Sequence, residues 1–188
     1  RLLAEGGLVA MPTETVYGLA ADAANAEAVA RLYAAKGRPA FNPLIAHCAS
    51  AEAAFAQGRF SEKARALAAK FWPGPLTLVM RRSPELPDLV TGGADTVAVR
   101  MPDHLVPLAL ARRLGRPITG TSANLSGQPD LLDLSALETQ LGGLVDYIIQ
   151  AGPVPAGTPS TIVDVTGDAP QLLREGAISL QEILETAG

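Results

Sequence analysis

The sequence predicts an α/β fold in which helices pack around a twisted β-sheet. Short apolar runs typical of strands recur along the whole chain, and segments with helical spacing of apolar residues separate them. The 188 residues are 48% hydrophobic and 18% charged, which is enough apolar material for one buried core. No internal repeat, low-complexity block or clear linker interrupts this pattern. We therefore expect a single domain.

The first half of the chain supplies an alternating series of elements. A short helical stub ends at Gly6-Gly7, a strand is predicted over residues 8–11, and the loop PTETVYG lies at its exit. A helix is predicted over residues 26–36, because its apolar residues recur at helical spacing, Asn25 can cap its start and Gly37 suits a left-handed end. The pattern then predicts a strand (43–48), two helices (51–57 and 61–71), a turn (72–75) and a strand (76–81).

The second half continues the alternation. Ser135 to Glu138 and Ser179 to Glu182 both match the capping box, so a helix is predicted to start at each. The remaining predictions are a strand ended by Pro102 (96–102), a helix (105–114), a short strand running into a polar loop (116–129) and further strands (146–151, 160–165 and 172–174).

Composition excludes several classes of function. A net charge of -4 argues against a protein that coats nucleic acid through its overall field, so an anionic ligand must meet a local cluster of cations. The single cysteine, Cys48, excludes an internal disulfide framework and a cysteine-rich zinc site. No run approaches the roughly 20 apolar residues that a membrane span requires, and we expect a cytoplasmic protein without a membrane partner.

The familiar catalytic and phosphate-binding motifs are missing from the sequence. It contains neither a Walker phosphate loop nor a G-x-G-x-x-G dinucleotide fingerprint, and H-E-x-x-H and G-x-S-x-G are also absent. The sequence contains two histidines, His47 and His104, and therefore gives little support to a histidine-centred catalytic triad. A bound nucleotide would have to be held by separate side chains and loop amides.

Two cations at the end of the helix over residues 26–36 are the first candidate ligand contacts. Lys36 continues the apolar face of this helix and therefore points inward, and Arg38 follows across the rigid flank of Gly37 and Pro39. The ordinary alternative is a solvated helix end, where cations complement the helix dipole. The inward face of Lys36 favours a ligand-binding role.

Other polar residues lie at strand ends, where α/β sheets gather their ligands. Arg100 closes an apolar strand, where either an anionic ligand or an internal salt bridge to Asp103 or Asp95 would balance its charge. The loop GTSANLSG combines amides, hydroxyls and a carboxamide able to bind an anion or a nucleoside, although a polar turn has the same composition. An ordinary structural role is the preferred interpretation for Thr161 and Asp164 and, taken alone, for the threonines of PTETVYG. A lone strand histidine such as His47 is also more often a partly buried structural side chain than a ligand or a base.

Six motifs in this order give the chain a family resemblance. They are PTETVYGLAADA, KGRPAFNPL, TVAVRMPDH, PITGTSANLSG, STIVDVTG and LREGAIS. Together they resemble the YrdC-like family of L-threonylcarbamoyladenylate synthases, over nearly the whole chain. The resemblance implies a twisted mixed sheet flanked by helices around a large, positively lined cavity. It also implies condensation of L-threonine, bicarbonate or CO2 and ATP to threonylcarbamoyl-AMP and pyrophosphate.

The resemblance also implies the roles of individual residues. Lys36 and Arg38 would be catalytic and would grip the triphosphate. The residues implied to bind ATP are Lys36, Arg38, Asn42, Thr96, Ser122, Asn124 and Arg174, and those implied to bind threonine are Thr15, His47, Arg100, Gly120 and Ser160. Thr121 departs from the residue common among relatives, and QPDLLD departs from their usual continuation, so no contact is assigned to either.

The implied cofactor is Mg2+, which would arrive with ATP. The product would feed threonylcarbamoyladenosine modification next to the tRNA anticodon through a downstream transferase machinery, and tRNA itself could bind. Two alternatives remain open: a non-catalytic module that binds tRNA or double-stranded RNA, and a carbamoyl-adenylate-forming carbamoyltransferase domain. We expect residues 1–188 to form one catalytic domain, of a short-form enzyme or one excised from a longer protein, with a C-terminal linker that could begin after about residue 180.

Overall fold

A computed structural model describes residues 1–151 and 157–188. A single 3-10 turn, Leu3–Glu5, precedes the first strand. The helices are α1 (Ala26–Lys36), α2 (Ala51–Phe55), α3 (Glu62–Phe71), α4 (Leu105–Leu114), α5 (Leu134–Leu141) and α6 (Leu180–Ala187). The strands are β1 (Val9–Met11), β2 (Gly18–Ala20), β3 (Ile45–His47), β4 (Gly58–Arg59), β5 (Leu76–Arg82), β6 (Thr96–Arg100), β7 (Ile118–Ser122), β8 (Tyr147–Ile148), β9 (Thr161–Asp164) and β10 (Gln171–Arg174).

The described strands form one mixed sheet, which confirms the predicted fold class. The order is β10-β9-β5-β6-β3-β7-β2-β1-β8, and β4 pairs with the far end of β5. The pairs β3 with β6, β5 with β9 and β1 with β8 are parallel, and the remaining neighbours are antiparallel. Strands far apart in the chain therefore lie side by side in the centre of the sheet.

Helices cover one face of the central strands. Alternate residues of β5, β6 and β9, such as Leu78, Val99 and Val163, are fully buried in a cluster with the apolar residues of α2, α3 and α6. The intervening residues, such as Val79, Ala98 and Ile162, point to the opposite face. That opposite face forms the floor of a cavity.

The predicted start and end of α1 are confirmed by its caps. The Asn25 side chain accepts hydrogen bonds from the backbone amides of Glu27 and Ala28, and Gly37 ends the helix with a φ of 60°. Only glycine adopts that left-handed conformation at little cost, so the helix stops there and the chain turns toward the sheet.

The start of α5 differs from its prediction. Asp133, rather than Ser135, caps this helix by accepting from the backbone amide of Ala136. A carboxylate two residues upstream competes successfully for the same free amides, so the capping-box match at Ser135 was wrong. The match at Ser179 and Glu182 is confirmed in both directions, and the α6 that it starts packs against α3.

The sequence pattern did not predict two short strands, β2 and β4. Strands β2 and β4 contain three and two residues, too few to show an alternating pattern. No helix among residues 1–151 and 157–188 is long and apolar enough to cross a membrane.

Candidate functional site

A cavity of about 350 Å³ opens on the face of the central strands opposite α2, α3 and α6. Residues of seven neighbouring strands line it, in the order β10-β9-β5-β6-β3-β7-β2, together with residues of adjoining loops. The lining residues are Thr13, Thr15, Val16, Gly18, Arg38, Pro43, Ile45, His47, Val79, Ala98, Arg100, Gly120, Thr121, Ser122, Asp130, Pro159, Ser160, Ile162, Leu173 and Arg174. This volume lies in the range typical of small-molecule sites.

Lys36 lies at the edge of the cavity and is almost fully buried, with 2% of its surface exposed. Its Nζ donates to Thr121 Oγ1 at 3.1 Å and to the carbonyl oxygen of Ser122. Burial, and secondly the nearby Arg38, lower the pKa of Lys36 from 10.5 to about 8, whereas Asp130 acts in the opposite direction. The sequence prediction that Lys36 points inward is therefore confirmed. Among the described residues, no carboxylate makes a direct hydrogen bond to its ammonium group.

The loop after α1 fixes Arg38 at the mouth of the cavity. Its Nη2 donates to the carbonyl oxygen of Pro43 at 2.8 Å, and its Nε donates to that of Asn42 at 3.2 Å. Its Nη1 reaches Thr121 Oγ1 at 3.5 Å, so one hydroxyl lies against both cations. Neutral oxygens hold both side chains, which leaves their positive charges available to an anion.

Arg100 lies deeper and is 4% exposed. Its three nitrogens donate to the Gly74 carbonyl oxygen, to Thr15 Oγ1 and to Glu14 Oε1. The internal salt bridge considered from the sequence therefore exists, but its partner is Glu14 rather than Asp103 or Asp95. Glu14 reaches Arg100 because the loop after β1 folds over the end of β6.

His47 faces the cavity floor next to Gly120. Burial, and secondly the charge on Arg100, lower the pKa of His47 well below its usual value of 6.5, so the imidazole is neutral at neutral pH. Its Nδ1 is buried without a hydrogen-bond partner among the described residues. The ring packs directly on Gly120, and a Cβ built at that position would overlap the ring. Glycine is thus required at residue 120 by close approach rather than by its backbone angles.

Arg174 reaches the cavity through an irregularity in β10. The register shifts between Leu172 and Arg174, which places Arg174 opposite Ile162, a cavity-lining residue. Its guanidinium donates to the Ser160 carbonyl oxygen at 2.8 Å and to Ser160 Oγ at 3.2 Å. The Ser160 hydroxyl also lies 2.8 Å from Thr77 Oγ1, so Ser160 orients Arg174 from a buried position.

The structure brings most of the predicted ligand-binding residues together. Eight of them line the cavity: Thr15, Arg38, His47, Arg100, Gly120, Ser122, Ser160 and Arg174. Lys36 contacts two lining residues directly. The four predicted cations, Lys36, Arg38, Arg100 and Arg174, therefore lie at one cavity instead of on separate faces.

Three predicted nucleotide contacts lie outside the lining. Thr96 is on the cavity-facing side of β6 but about 7 Å beyond Ala98 along the strand. The Asn42 carbonyl oxygen accepts from Tyr33 and Arg38, which builds the loop at the mouth. Asn124 is 7% exposed and donates to its own loop, at the carbonyl oxygens of Leu125 and Gln128, while its Oδ1 has no partner among the described residues.

Thr161 and Asp164 have the structural roles preferred from the sequence. Thr161 Oγ1 donates to the Ile178 carbonyl oxygen and accepts from two backbone amides, and Asp164 accepts from Thr166. Thr13 closes a turn by donating to the Val16 carbonyl oxygen at 2.6 Å, which is the ordinary role considered for PTETVYG. Its neighbour Thr15 nevertheless faces Arg100.

Sequence reasoning missed three residues at this site: Glu14, Thr121 and Asp130. Glu14 stands in the quoted motif PTETVYG as the one acid between two threonines, which is a usable signal. Thr121 was recognised only as a departure from its family, although its hydroxyl contacts both Lys36 and Arg38. Asp130 carries no local signal, because its closeness to Lys36 and Arg174 depends on how the loop after β7 folds back.

The described residues contain no cluster of three or more histidine, cysteine, aspartate or glutamate side chains that could hold a metal ion. Asp130 is the acidic side chain among the residues that line the cavity. Proteins commonly bind Mg2+ through one or two carboxylates together with the phosphates of the substrate. The single carboxylate of Asp130, next to cations that attract phosphates, fits Mg2+ bound in this manner.

The fold and the site define a class of protein: α/β domains in which one face of a mixed sheet carries a cation-lined cavity. The chain belongs to the Sua5/YciO/YrdC family, whose model, described as "Telomere recombination", matches residues 1–176.

Curated relatives and solved structures agree with this assignment. The chain is 48% identical over 185 residues to the threonylcarbamoyl-AMP synthase of Pyrococcus abyssi, covering 98% of the chain and 54% of that protein. It is 46% identical to the Bacillus subtilis protein of the same name, covering 100% and 55% respectively. The crystal structure of P. abyssi Sua5 complexed with L-threonine superposes with a TM-score of 0.96 at 47% identity, covering 100% of the chain and 55% of that chain. The chain thus spans about half the length of these relatives.

Proposed function

We propose that the protein is an L-threonylcarbamoyladenylate synthase, a nucleotidyltransferase that condenses L-threonine, bicarbonate or CO2 and ATP to threonylcarbamoyl-AMP and pyrophosphate. The observation that carries the proposal is the convergence of Lys36, Arg38, Arg100 and Arg174 on one cavity. Similarity to proteins named threonylcarbamoyl-AMP synthase supports the choice of reaction.

The triphosphate would lie against Lys36, Arg38 and Arg174. Asp130, whose charge acts on Lys36 and Arg174, is the one carboxylate among the lining residues, so this part of the cavity attracts a polyanion. Neutral oxygens already fix the side chains, and a phosphate would meet preorganised donors. Holding the nucleophile in line with the α-phosphorus can supply roughly 7–11 kcal/mol of the barrier.

The amino acid would lie at the deeper end, near Arg100. The guanidinium suits a carboxylate, and Thr15, His47, Gly120 and Ser160 would surround the rest of the molecule. The amine and CO2 form a carbamate by making a C–N bond and releasing a proton. A carbamate oxygen then attacks the α-phosphorus, and the bond to pyrophosphate breaks.

This chemistry needs little general-base assistance, because the carbamate is already an anion. The neutral imidazole of His47 offers an unpaired nitrogen next to the amino-acid end and can accept a hydrogen bond there. Its lowered pKa makes it a weak base, so we assign it an orienting role.

The nucleoside would reach toward the loop after β7 and the outer end of β6. Ser122, Asn124, Thr96 and Asn42 are the proposed contacts, and Asn124 and Thr96 would have to be approached by a ligand that extends beyond the lined volume. Mg2+, bound to the phosphates and to Asp130, would neutralise charge on the leaving pyrophosphate.

The product would pass to a downstream tRNA threonylcarbamoyl transferase machinery in the cytoplasm. An adenylated carbamate is reactive toward water, which favours its prompt use by a partner enzyme. Direct tRNA binding belongs to this proposal only as a transient contact, since the net charge of -4 gives no overall attraction to RNA.

One assay tests the proposal. The protein is incubated with α-labelled ATP, and pyrophosphate and the labelled adenylate are measured with L-threonine and bicarbonate added singly and together. Formation of both products only when both are present supports the synthase. Activity with carbamoyl phosphate but not threonine would indicate a carbamoyltransferase, and retention of tRNA without pyrophosphate release would indicate an RNA-binding module.

A further inference from the structure

Glu14 stands between Thr13 and Thr15, which line the cavity, and it is a carboxylate that the proposed reaction does not use. Its Oε1 accepts from Arg100, which also lines the cavity, but its Oε2 is buried and has no partner among the described residues. A buried polar atom left without a hydrogen bond is destabilising, which indicates an arrangement that a ligand completes. The side chain is 19% exposed, so the carboxylate can turn about its broad terminal torsion.

Arg100 cannot serve a ligand carboxylate independently of Glu14. Three of its five N–H groups already donate to protein oxygens, those of Gly74, Thr15 and Glu14. An incoming carboxylate would use the remaining N–H groups and share the guanidinium with Glu14, or it would displace Glu14. Either way, two carboxylates then lie beside a single buried cation, and their repulsion is strong because burial weakens solvent screening.

A second positive charge resolves this repulsion, and the nearby protein groups provide it only in part. His47 is neutral because burial and Arg100 lower its pKa. The charge of Arg174 acts on Arg100, but it is the smallest of the four influences on the Arg100 pKa, and the Arg174 guanidinium is held by Ser160. An α-amino acid supplies the missing cation itself, because its ammonium group is joined to the same carbon as its carboxylate.

We propose that Glu14 is a specificity-determining residue that selects a zwitterionic amino acid: the substrate carboxylate takes over Arg100, and the substrate ammonium takes the free oxygen of Glu14. This inference rests on the proposed function and adds the chemical reason why an amine is required for binding. The deep end of the cavity is electrically balanced and admits a zwitterion, whereas the cation-rich end admits the polyanion.

Binding measurements without ATP test this inference. Calorimetry compares L-threonine with (3R)-3-hydroxybutyrate, which keeps the carboxylate, hydroxyl and methyl groups but lacks the amine. In the unaltered protein we expect threonine to bind roughly 10- to 100-fold more tightly, the effect of one charge-assisted contact. Glu14→Gln should weaken threonine and strengthen 3-hydroxybutyrate, so that the ratio of their dissociation constants collapses toward one.

Asp130→Asn is the matched control, because it removes a carboxylate from the cation-rich end and should leave that ratio unchanged. If Glu14 only orients Arg100, then Glu14→Gln weakens both ligands by the same factor, and the inference is wrong. Equal binding of the two ligands by the unaltered protein also overturns it, even if the variant does not fold. Pyrophosphate release by the unaltered protein is measured in parallel, so that failure of the proposed function is recognised separately.

Discussion

The buried ammonium group of Lys36 predicts an unusual pH dependence of nucleotide binding. Its pKa is lowered to about 8 chiefly by burial, so the free protein loses this charge just above neutral pH. Bound phosphates favour the charged form and return the pKa toward its ordinary value of 10.5. Binding of ATP should therefore take up a proton, and affinity should fall as pH rises above about 8.

The size of the effect follows from the two pKa values. With a complex that stays protonated, the dissociation constant for ATP rises about eightfold between pH 7.5 and pH 9. At pH 8 the free lysine is half protonated, so binding takes up about 0.5 proton. The phosphates of ATP are fully ionised over this range and contribute no opposing slope.

The same pKa shift has a consequence for stability. Between pH 8 and pH 10.5 the unfolded chain holds the lysine proton and the folded protein does not, so the free energy of unfolding rises with pH through this window. The full change attributable to Lys36 is about 3 kcal/mol.

Calorimetric titration with a non-hydrolysable ATP analogue measures both quantities. Titrations at pH 8 in two buffers with different ionisation enthalpies give the proton uptake, and a series from pH 7.5 to pH 9 gives the affinity. Lys36→Met is the control, since it lacks the titrating group and should bind more weakly with no slope. An affinity of the unaltered protein that stays constant across the series, with no buffer dependence, would refute the reasoning about Lys36.

Three further outcomes are expected at other positions. Arg38→Ala should abolish adenylate formation and leave the circular dichroism spectrum unchanged, because the guanidinium is held at the mouth by carbonyl oxygens and supports no core packing. Gly120→Ala should destabilise the protein by about 1–3 kcal/mol in urea unfolding, because the new methyl group overlaps His47. Arg116→Ala should lower the midpoint of the same urea unfolding, because it leaves the carboxylate of Asp22, which is 1% exposed, without its guanidinium partner.

Each expectation has a matched comparison. Near-normal turnover by Arg38→Ala would contradict its role, and Arg38→Lys shows whether charge alone suffices. Combining Gly120→Ala with His47→Ala should recover much of the lost stability, and no recovery would argue against the overlap. Arg112→Ala removes an arginine of α4 for which no carboxylate partner is described, and a loss as large as that of Arg116→Ala would show that the Asp22 contact is not the cause.

Local chemistry made the helix boundaries predictable. Asn25 and Gly37 satisfy the free ends of α1 within three or four residues, and Ser179 with Glu182 does the same for α6. The prediction failed at α5, where Asp133 and Ser135 are both good caps and the sequence holds nothing that ranks them. Strands β2 and β4 were missed because segments of three and two residues are stabilised by their neighbours rather than by a pattern of their own.

The candidate site was predictable only in part. An inward-facing Lys36 followed from the face it shares with the apolar residues of α1. Local position and composition also drew attention to Arg38, Arg100 and the loop GTSANLSG, and the family resemblance supplied the individual roles. The predicted salt-bridge partner of Arg100 was wrong. The actual partner, Glu14, lies 86 positions away in the sequence, and the order of the strands brings the two residues together. Arg174 enters the cavity because of a register shift in β10, and no sequence pattern predicts that shift.

Sequence alone predicts the helical segments, the apolar positions, and the cations at one helix end and at two strand ends, because these features depend on interactions within a few residues. Folding of the whole chain is needed to bring those cations to one cavity, to place Glu14 beside Arg100 and to lower the pKa of Lys36 by burial. Burial and electrostatic coupling depend on distance in space, and the pairing of remote strands sets that distance.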